Sequence, residues 1–144
     1  MDRLAVESRP AYIRVNGEVS HAYNEAAFRY FLAIEKARAA RSLRPLLLVL
    51  VKLRTPKNHP GVKPHTSLAL FAGLRACVRE VDFVGWYRQD TVAAAVLAPT
   101  STASQKVRHQ LIARVVRILT QKLPADDTAG LEVRVVAIGR KRRM

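Results

Sequence analysis

The sequence predicts an α+β domain of the ferredoxin-like plait type, in which two βαβ units interlock to give the order βαββαβ. The first observation is an apolar run at 46–53, and the second is the alternation of helix-like and β-like segments that follows it. Two of the β-like segments are separated only by residues 88–90, a length that suits a hairpin. We expect a mainly antiparallel sheet with helices on one face, preceded by a long N-terminal helix.

The first third of the chain predicts a short strand and then the long helix. Residues 12–15 have β-like composition and end at the turn signal Asn16-Gly17. Ser20 is a suitable N-cap for a helix over about 21–43, which Pro45 would end. Apolar residues follow at helical spacing on this segment, so one face of the helix is expected to pack on the sheet.

The middle of the chain supplies the first βα unit. The run at 46–53 has no glycine and little polarity, which is typical of a central strand buried on both faces. A loop rich in Pro and Gly follows at 55–64. Thr66 or Ser67 could then cap a second helix that reaches about residue 79.

The last part of the chain completes the plait. Residues 82–87 and 91–98 are the predicted hairpin strands, and residues 131–138 alternate as a last strand. A third helix is predicted between the second hairpin strand and this last strand. It ends near Lys122 and carries an apolar stripe at helical spacing. Its N-cap is expected among three hydroxyl residues, Thr100, Ser101 and Thr102.

Size and composition limit the class of protein. A chain of 144 residues with 49% hydrophobic residues is long enough for one domain and too short for two. The single cysteine, Cys77, excludes an intrachain disulfide framework and a Cys-rich zinc site. No apolar run approaches the length of a membrane span, and the first 11 residues do not resemble a secretory signal. We therefore expect a cytoplasmic protein that has no membrane span and needs no cofactor.

The net charge of +14 is unevenly distributed. No acidic residue lies between Lys36 and Arg79, none lies between Thr91 and Ala125, and residues 140–143 are all basic. A basic surface of this kind either keeps the protein soluble or binds an anionic partner such as nucleic acid. Aromatic side chains, on which bases would stack, are absent from 46–53 and 91–98, which counts against an RNA-binding sheet.

Several short motifs follow one another over about residues 20–139. Residues 24–28 read NEAAF, and residues 35–46 read EKARAARSLRPL. Arg79 and Asp82 form an R-x-x-D, residues 87–92 read YRQDTV, and residues 98–100 read APT. In order and spacing these motifs resemble the GGDEF domain family, which has N-R-x-x-F and E-x-x-R-A-x-R-x-x-R-P-L at the first two places and, in active members, Y-G-G-D-E-F at 87–92. The resemblance implies a plait of GGDEF type at 20–139, with an N-terminal extension at 1–19 and a basic tail at 140–144.

The resemblance also implies that the catalytic residues are absent. Active members join two GTP molecules into cyclic di-GMP with magnesium held by carboxylates from the first strand and the signature hairpin. Those two positions correspond to Lys52 and Thr91 here, and the two hairpin glycines correspond to Arg88 and Gln89. The guanine-reading Asp falls near Pro64, and Asn58 alone could remain from that loop. We expect no cyclase activity, no bound metal and no catalytic residue. The degenerate signature comprises five residues: Arg88, Gln89, Asp90, Thr91 and Val92.

The R-x-x-D is the feature that the resemblance links to a ligand. In the family this pair, five residues before the signature, binds the product cyclic di-GMP. An Arg fork suits the O6 and N7 acceptors of guanine, and a carboxylate accepts from its N1 and N2 donors. Yet 18 Arg and 5 Asp in 144 residues give about 0.6 such matches by chance, so only the position carries weight. Arg79 and Asp82 could equally form a surface ion pair worth under about 1 kcal/mol.

Two functions remain open from the sequence. The first is an inactive GGDEF-like signalling module that binds cyclic di-GMP at Arg79 and Asp82, or a protein through the same surface, and regulates that partner. By analogy with the family, the partner would belong to exopolysaccharide or surface-attachment machinery in bacteria. The alternative is a basic nucleic-acid-binding protein on a ferredoxin-like fold. The oligomeric state, including a homodimer, stays open.

Overall fold

A mixed sheet forms the centre of the fold in the computed structural model, which describes residues 12–15, 18–55, 61–98 and 104–138. Within these residues six strands pair in the order β1-β2-β4-β5-β3-β6. Every pairing is antiparallel except that of β2 with β4. The strands are β1 Tyr12–Val15, β2 Glu18–Tyr23, β3 Leu46–Lys52, β4 Phe83–Arg88, β5 Val92–Leu97 and β6 Glu132–Ile138.

Four helices connect these strands within the described residues. The order β3-α2-β4-β5-α3-β6 is the predicted plait, and the mainly antiparallel sheet with a long preceding helix is confirmed. The helices are α1 Glu25–Ser42, α2 Pro64–Cys77, α3 Gln105–Lys122 and the short α4 Ala125–Thr128. None of the described helices combines the length and apolarity that a membrane crossing needs.

The start of α1 differs from the prediction. Ser20 lies in β2, a strand that pairs with β1, and the helix begins at Glu25. The N-cap is Asn24, whose side chain accepts a hydrogen bond from the Ala27 backbone N–H at 2.9 Å. Because Asn is as good an N-cap as Ser and Glu25 adds an acid to the first turn, the helix starts at the later position.

The other two predicted caps are also displaced. The second helix begins at Pro64, whose fixed φ suits the first helical position, and its N-cap Lys63 makes no side-chain cap bond. Ser67 lies inside the first turn, where its hydroxyl donates to the Pro64 carbonyl at 2.7 Å. The third helix is capped by Ser104, which accepts from the Val107 N–H at 3.2 Å. The expected caps Thr100, Ser101 and Thr102 lie outside the described residues, as do Asn58 and the tail at 140–144.

Both faces of the sheet are covered, which corrects the expectation of helices on one face. Alternate residues of β3 point to opposite faces. Leu47 and Val49 pack in a core with α2 and α3, whereas Leu46 and Leu48 pack with α1. These four side chains are all buried, so the predicted burial of this strand on both faces is confirmed.

Candidate functional site

Arg79 and Asp82 meet in the turn between α2 and β4. Asp82 as a residue is 3% exposed, and its carboxylate accepts hydrogen bonds from the backbone N–H groups of Arg79 and Ala98, both at 2.9 Å. The Arg79 guanidinium donates to the same carboxylate at 3.2 Å (Nε–Oδ2) and 3.1 Å (Nη2–Oδ1). Asp82 therefore joins the turn after α2 to the end of β5. The two residues form the ion pair that the sequence allowed, but its carboxylate is buried rather than at the surface.

The two side chains differ in their access to solvent. The Arg79 side chain is 59% exposed, whereas the Asp82 side chain is fully buried. Arg79 borders a cavity of about 180 Å³ that we call the Arg79 cavity. Its lining comprises Leu47, Arg79, Leu97, Ala98, Val107, Gln110, Leu111 and Arg114. A ligand in this cavity would meet an arginine that a buried carboxylate holds in place, over a mostly apolar wall.

Further arginines satisfy the carbonyl groups at the end of α2. Arg75 donates to the carbonyls of Arg79 and Asp82, the latter at 2.9 Å. Arg114, from α3, donates to the Cys77 carbonyl at 3.1 Å. Cys77 itself is buried. Burial raises the pKa of its thiol above the ordinary value, and the positive charge of Arg114 opposes that rise.

The β4–β5 hairpin is fixed on both sides. Asp90 occupies the left-handed region with φ 63°, and its carbonyl accepts from the Val62 N–H at 2.7 Å. Gln89 and Glu25 exchange two hydrogen bonds: the Gln89 N–H donates to Glu25 Oε1 at 2.6 Å, and the Glu25 N–H donates to Gln89 Oε1 at 3.1 Å. The hairpin is therefore clamped to the first turn of α1. No local pattern in the sequence indicates this contact, because 64 residues separate the partners.

We expect the substitution Gln89→Ala to lower the free energy of unfolding by about 1 kcal/mol. The variant loses the side-chain acceptor for the Glu25 N–H, and one hydrogen bond of this kind contributes about 0.5–1.5 kcal/mol. Urea unfolding measures the change. Gln121→Ala on the exposed side of α3 is the matched control and should change stability by less than about 0.5 kcal/mol. Equal losses in the two variants would contradict the clamp.

A second cleft, the hairpin groove, lies beside the β4–β5 hairpin, where β3 and β4 end and β5 and β6 begin. It has a volume of about 230 Å³. Its lining comprises Leu50, Val51, Lys52, Tyr87, Arg88, Val92, Glu132 and Arg134. Lys52, at the end of β3, is the register partner of both Val92 and Glu132. The end of β3 and the β4–β5 hairpin therefore meet in this groove.

The residues at this meeting point do not suit a magnesium ion. Magnesium prefers oxygen ligands, usually carboxylates. Lys52 lies at this point, and a lysine ammonium cannot ligate a metal; the one carboxylate in the lining of the groove is that of Glu132. Across the described residues, no group of three or more His, Cys, Asp or Glu side chains could hold a metal ion.

Comparison with known proteins gives matches to solved structures only. No family model matches the chain, and no curated protein matches it. The FimX GGDEF domain from Pseudomonas aeruginosa matches with 15% identity and TM-score 0.65, over 94% of this chain and 84% of that one. The diguanylate cyclase SiaD from the same organism, solved with its activator SiaC, matches with 17% identity and TM-score 0.63, over 96% of this chain and 55% of that one.

A third match is a microbial GGDEF domain described in an interaction with cyclic di-GMP. It has 15% identity and TM-score 0.54, over 82% of this chain and 73% of that one. At such identities the likeness establishes the fold. The chain therefore has the fold of GGDEF domains, as the motifs predicted.

Proposed function

We propose that the chain is a catalytically inactive signalling module of GGDEF fold that binds cyclic di-GMP in the Arg79 cavity and regulates a partner protein. The observation that carries the proposal is the Arg79 guanidinium, which the buried Asp82 carboxylate holds at the rim of a cavity. Asp82 acts as a positioning residue in this proposal, because its oxygens already accept four hydrogen bonds within the chain.

The cavity offers the groups that a guanine dinucleotide needs. The guanidinium fork of Arg79 can donate to guanine O6 and N7, or to a phosphate. Arg114 lines the same cavity and adds a second positive charge, while Leu97 and Leu111 give an apolar wall for the purine. Binding would thus combine charge-assisted hydrogen bonds with burial of an aromatic ring.

The residues at the end of β3 and in the β4–β5 hairpin support the proposed absence of cyclase activity. Lys52 and Thr91 replace the carboxylates that the chemistry requires, and Arg88 and Gln89 replace the glycines whose missing side chains let a nucleotide approach. The Gln89 side chain is also engaged with α1. We expect purified protein to form no cyclic di-GMP from GTP and magnesium, measured by chromatography of the products.

The similar structures support the ligand and the partner by likeness of fold alone. One of those GGDEF domains is described with cyclic di-GMP, and the cyclase SiaD is described in complex with an activator protein. A module without catalytic residues would act through such a partner.

We expect calorimetry to detect cyclic di-GMP binding at micromolar affinity and Arg79→Ala to weaken it at least about tenfold, which corresponds to about 1.4 kcal/mol. Arg79→Lys should weaken it similarly, because an ammonium lacks the bidentate fork. Arg38→Ala is the control, since Arg38 lies on α1, across the sheet from the cavity, and is exposed like Arg79. Absence of binding by the wild-type protein, or equal binding by the Arg79 variants, would overturn the proposal.

A further inference from the structure

We propose that the outer face of α1, together with a row of aromatic side chains that adjoins it, binds single-stranded nucleic acid. This aromatic row comprises Tyr12, Tyr23, Phe31 and Tyr30, in order of contact. It lies on the side of the sheet that α1 covers, whereas the Arg79 cavity lies beside the core of α2 and α3. The inference therefore does not rest on the proposed binding of cyclic di-GMP.

The rings of the aromatic row are in contact from β1 to α1. Tyr12 stacks on Tyr23, with the ring centres 5.1 Å apart and the planes 13° apart. Tyr23 lies 4.8 Å from Phe31, and Phe31 lies 5.2 Å from Tyr30. The inner two rings are half-buried, while Tyr12 is 39% exposed and Tyr30 is 64% exposed. Each end of the row therefore offers a ring on which an unpaired base can stack, whatever its identity.

The outer face of α1 adds positive charge beyond the aromatic row. On a helix of 3.6 residues per turn, positions 30, 37 and 41 lie within about 40° of one another around the axis. All three side chains are exposed, and the small Ala37 leaves room for a strand between Tyr30 and Arg41. The rise from Tyr30 to Arg41 is about 16 Å, which matches about five nucleotides of a stacked strand. Lys36 and Arg44 are exposed nearby.

The cations of this face are available to phosphate groups. Among the described residues, no ion pair or side-chain hydrogen bond involves Lys36, Arg41 or Arg44. The two acids of α1, by contrast, each pair with an arginine of the same helix. A nucleic-acid strand carries one negative charge per nucleotide, so its binding would release counter-ions and would offset part of the net charge of +14.

The chemistry of the surface favours a single strand over a duplex or a membrane. Bases within a duplex are stacked on one another and cannot lie on the aromatic row. A helix that binds a membrane buries an apolar face in the lipid, but Phe28 and Leu32 of α1 are buried against the sheet. Tyr30 is the one large ring that α1 exposes, among alanine, serine and basic side chains. The stacking platform that β3 and β5 lack is thus supplied by β1, β2 and α1.

Fluorescence anisotropy with the full chain and a labelled oligothymidylate of about 12 nucleotides, a length that one small domain can cover, tests the proposal. We expect micromolar binding at about 100 mM salt. Tyr30→Ala should weaken it about tenfold, the effect of losing one stacked base, and Tyr30→Phe should retain it because the ring remains. Arg41→Ala should reduce the slope of log affinity against log salt by about 0.7, the value for one phosphate contact. Tyr30→Ala should leave that slope unchanged.

Two controls separate this face from other basic surfaces. Lys106→Ala removes an exposed lysine of α3, on the other side of the sheet, and should change neither the affinity nor the salt slope. Arg79→Ala should also bind the strand as the wild type does, so failure of the cyclic di-GMP proposal would not affect this result.

The proposal is overturned if the wild-type protein does not bind the strand, if a duplex of the same length binds as tightly, or if Tyr30→Ala keeps full affinity. An equal loss of salt slope in Lys106→Ala and Arg41→Ala would also overturn it, because the attraction would then be spread over the whole basic surface. Binding to vesicles of phosphatidylcholine and phosphatidylserine, without binding to the oligonucleotide, would assign the face to a membrane instead.

Discussion

Replacing Asp82 by alanine is expected to lower the free energy of unfolding by about 3 kcal/mol. The fully buried carboxylate accepts from two backbone N–H groups and from the Arg79 guanidinium. Alanine leaves the N–H groups of Arg79 and Ala98 without an acceptor, and each buried unsatisfied donor costs about 1–3 kcal/mol. The lost ion pair adds less, because the Arg79 side chain is mostly exposed to solvent.

Urea unfolding of the variant, followed by circular dichroism, measures this loss as a lower midpoint at unchanged slope. Asp82→Asn retains one acceptor oxygen without the charge, so an intermediate loss is expected. Glu80→Ala, two residues away and exposed, is the control and should change stability by less than about 0.5 kcal/mol. If Asp82→Ala were as stable as the control, the hydrogen bonds described for the carboxylate would not form in solution.

Much of the fold could be predicted because its signals are local. The apolar run of β3, the short hairpin connection and the stripe of α3 each lie within a few consecutive residues. The strand β2 lacks such a signal, since its place depends on partners far along the chain. Tyr23 pairs with Gly85, and its ring lies 5.1 Å from that of Tyr12 and 5.9 Å from that of Phe83. The local pattern therefore predicts an extension up to residue 19 and a helix from about residue 21, whereas the structure has one strand over Glu18–Tyr23.

In the candidate site, too, some features could be predicted from the local sequence and others depend on residues far along the chain. The spacing of Arg79 and Asp82 in the sequence predicted that the two side chains could act together, and the structure places them in an ion pair. The burial of Asp82 depends on the Ala98 N–H, which comes from a different strand. The sequence therefore predicts two side chains that are both accessible, whereas the structure exposes Arg79 and buries Asp82. The open hairpin groove likewise depends on the register of β6, which no motif encodes.

Replacing Gly85 by alanine is expected to lower the free energy of unfolding by about 3 kcal/mol, near the upper end for overpacking of a core. A Cβ atom at this position would lie 2.5 Å from the Tyr23 carbonyl oxygen and 3.0 Å from Phe28 Cδ1. The first contact is with backbone, which cannot rotate away as a side chain can. The only register partner between β2 and β4 in the described sheet is this Tyr23–Gly85 pair. We therefore expect β2 to detach from the sheet.

Hydrogen exchange distinguishes that outcome from a uniform loss of stability, because detachment would remove protection from β1 and β2 while β3 and β5 stay protected. Gly61→Ala is the matched control: its added Cβ would meet Asp90 at 3.5 Å, an ordinary contact, so its cost should stay below about 1 kcal/mol. Equal costs for the two variants, or unchanged protection of β2 in Gly85→Ala, would mean that the strand does not depend on the close approach at Gly85.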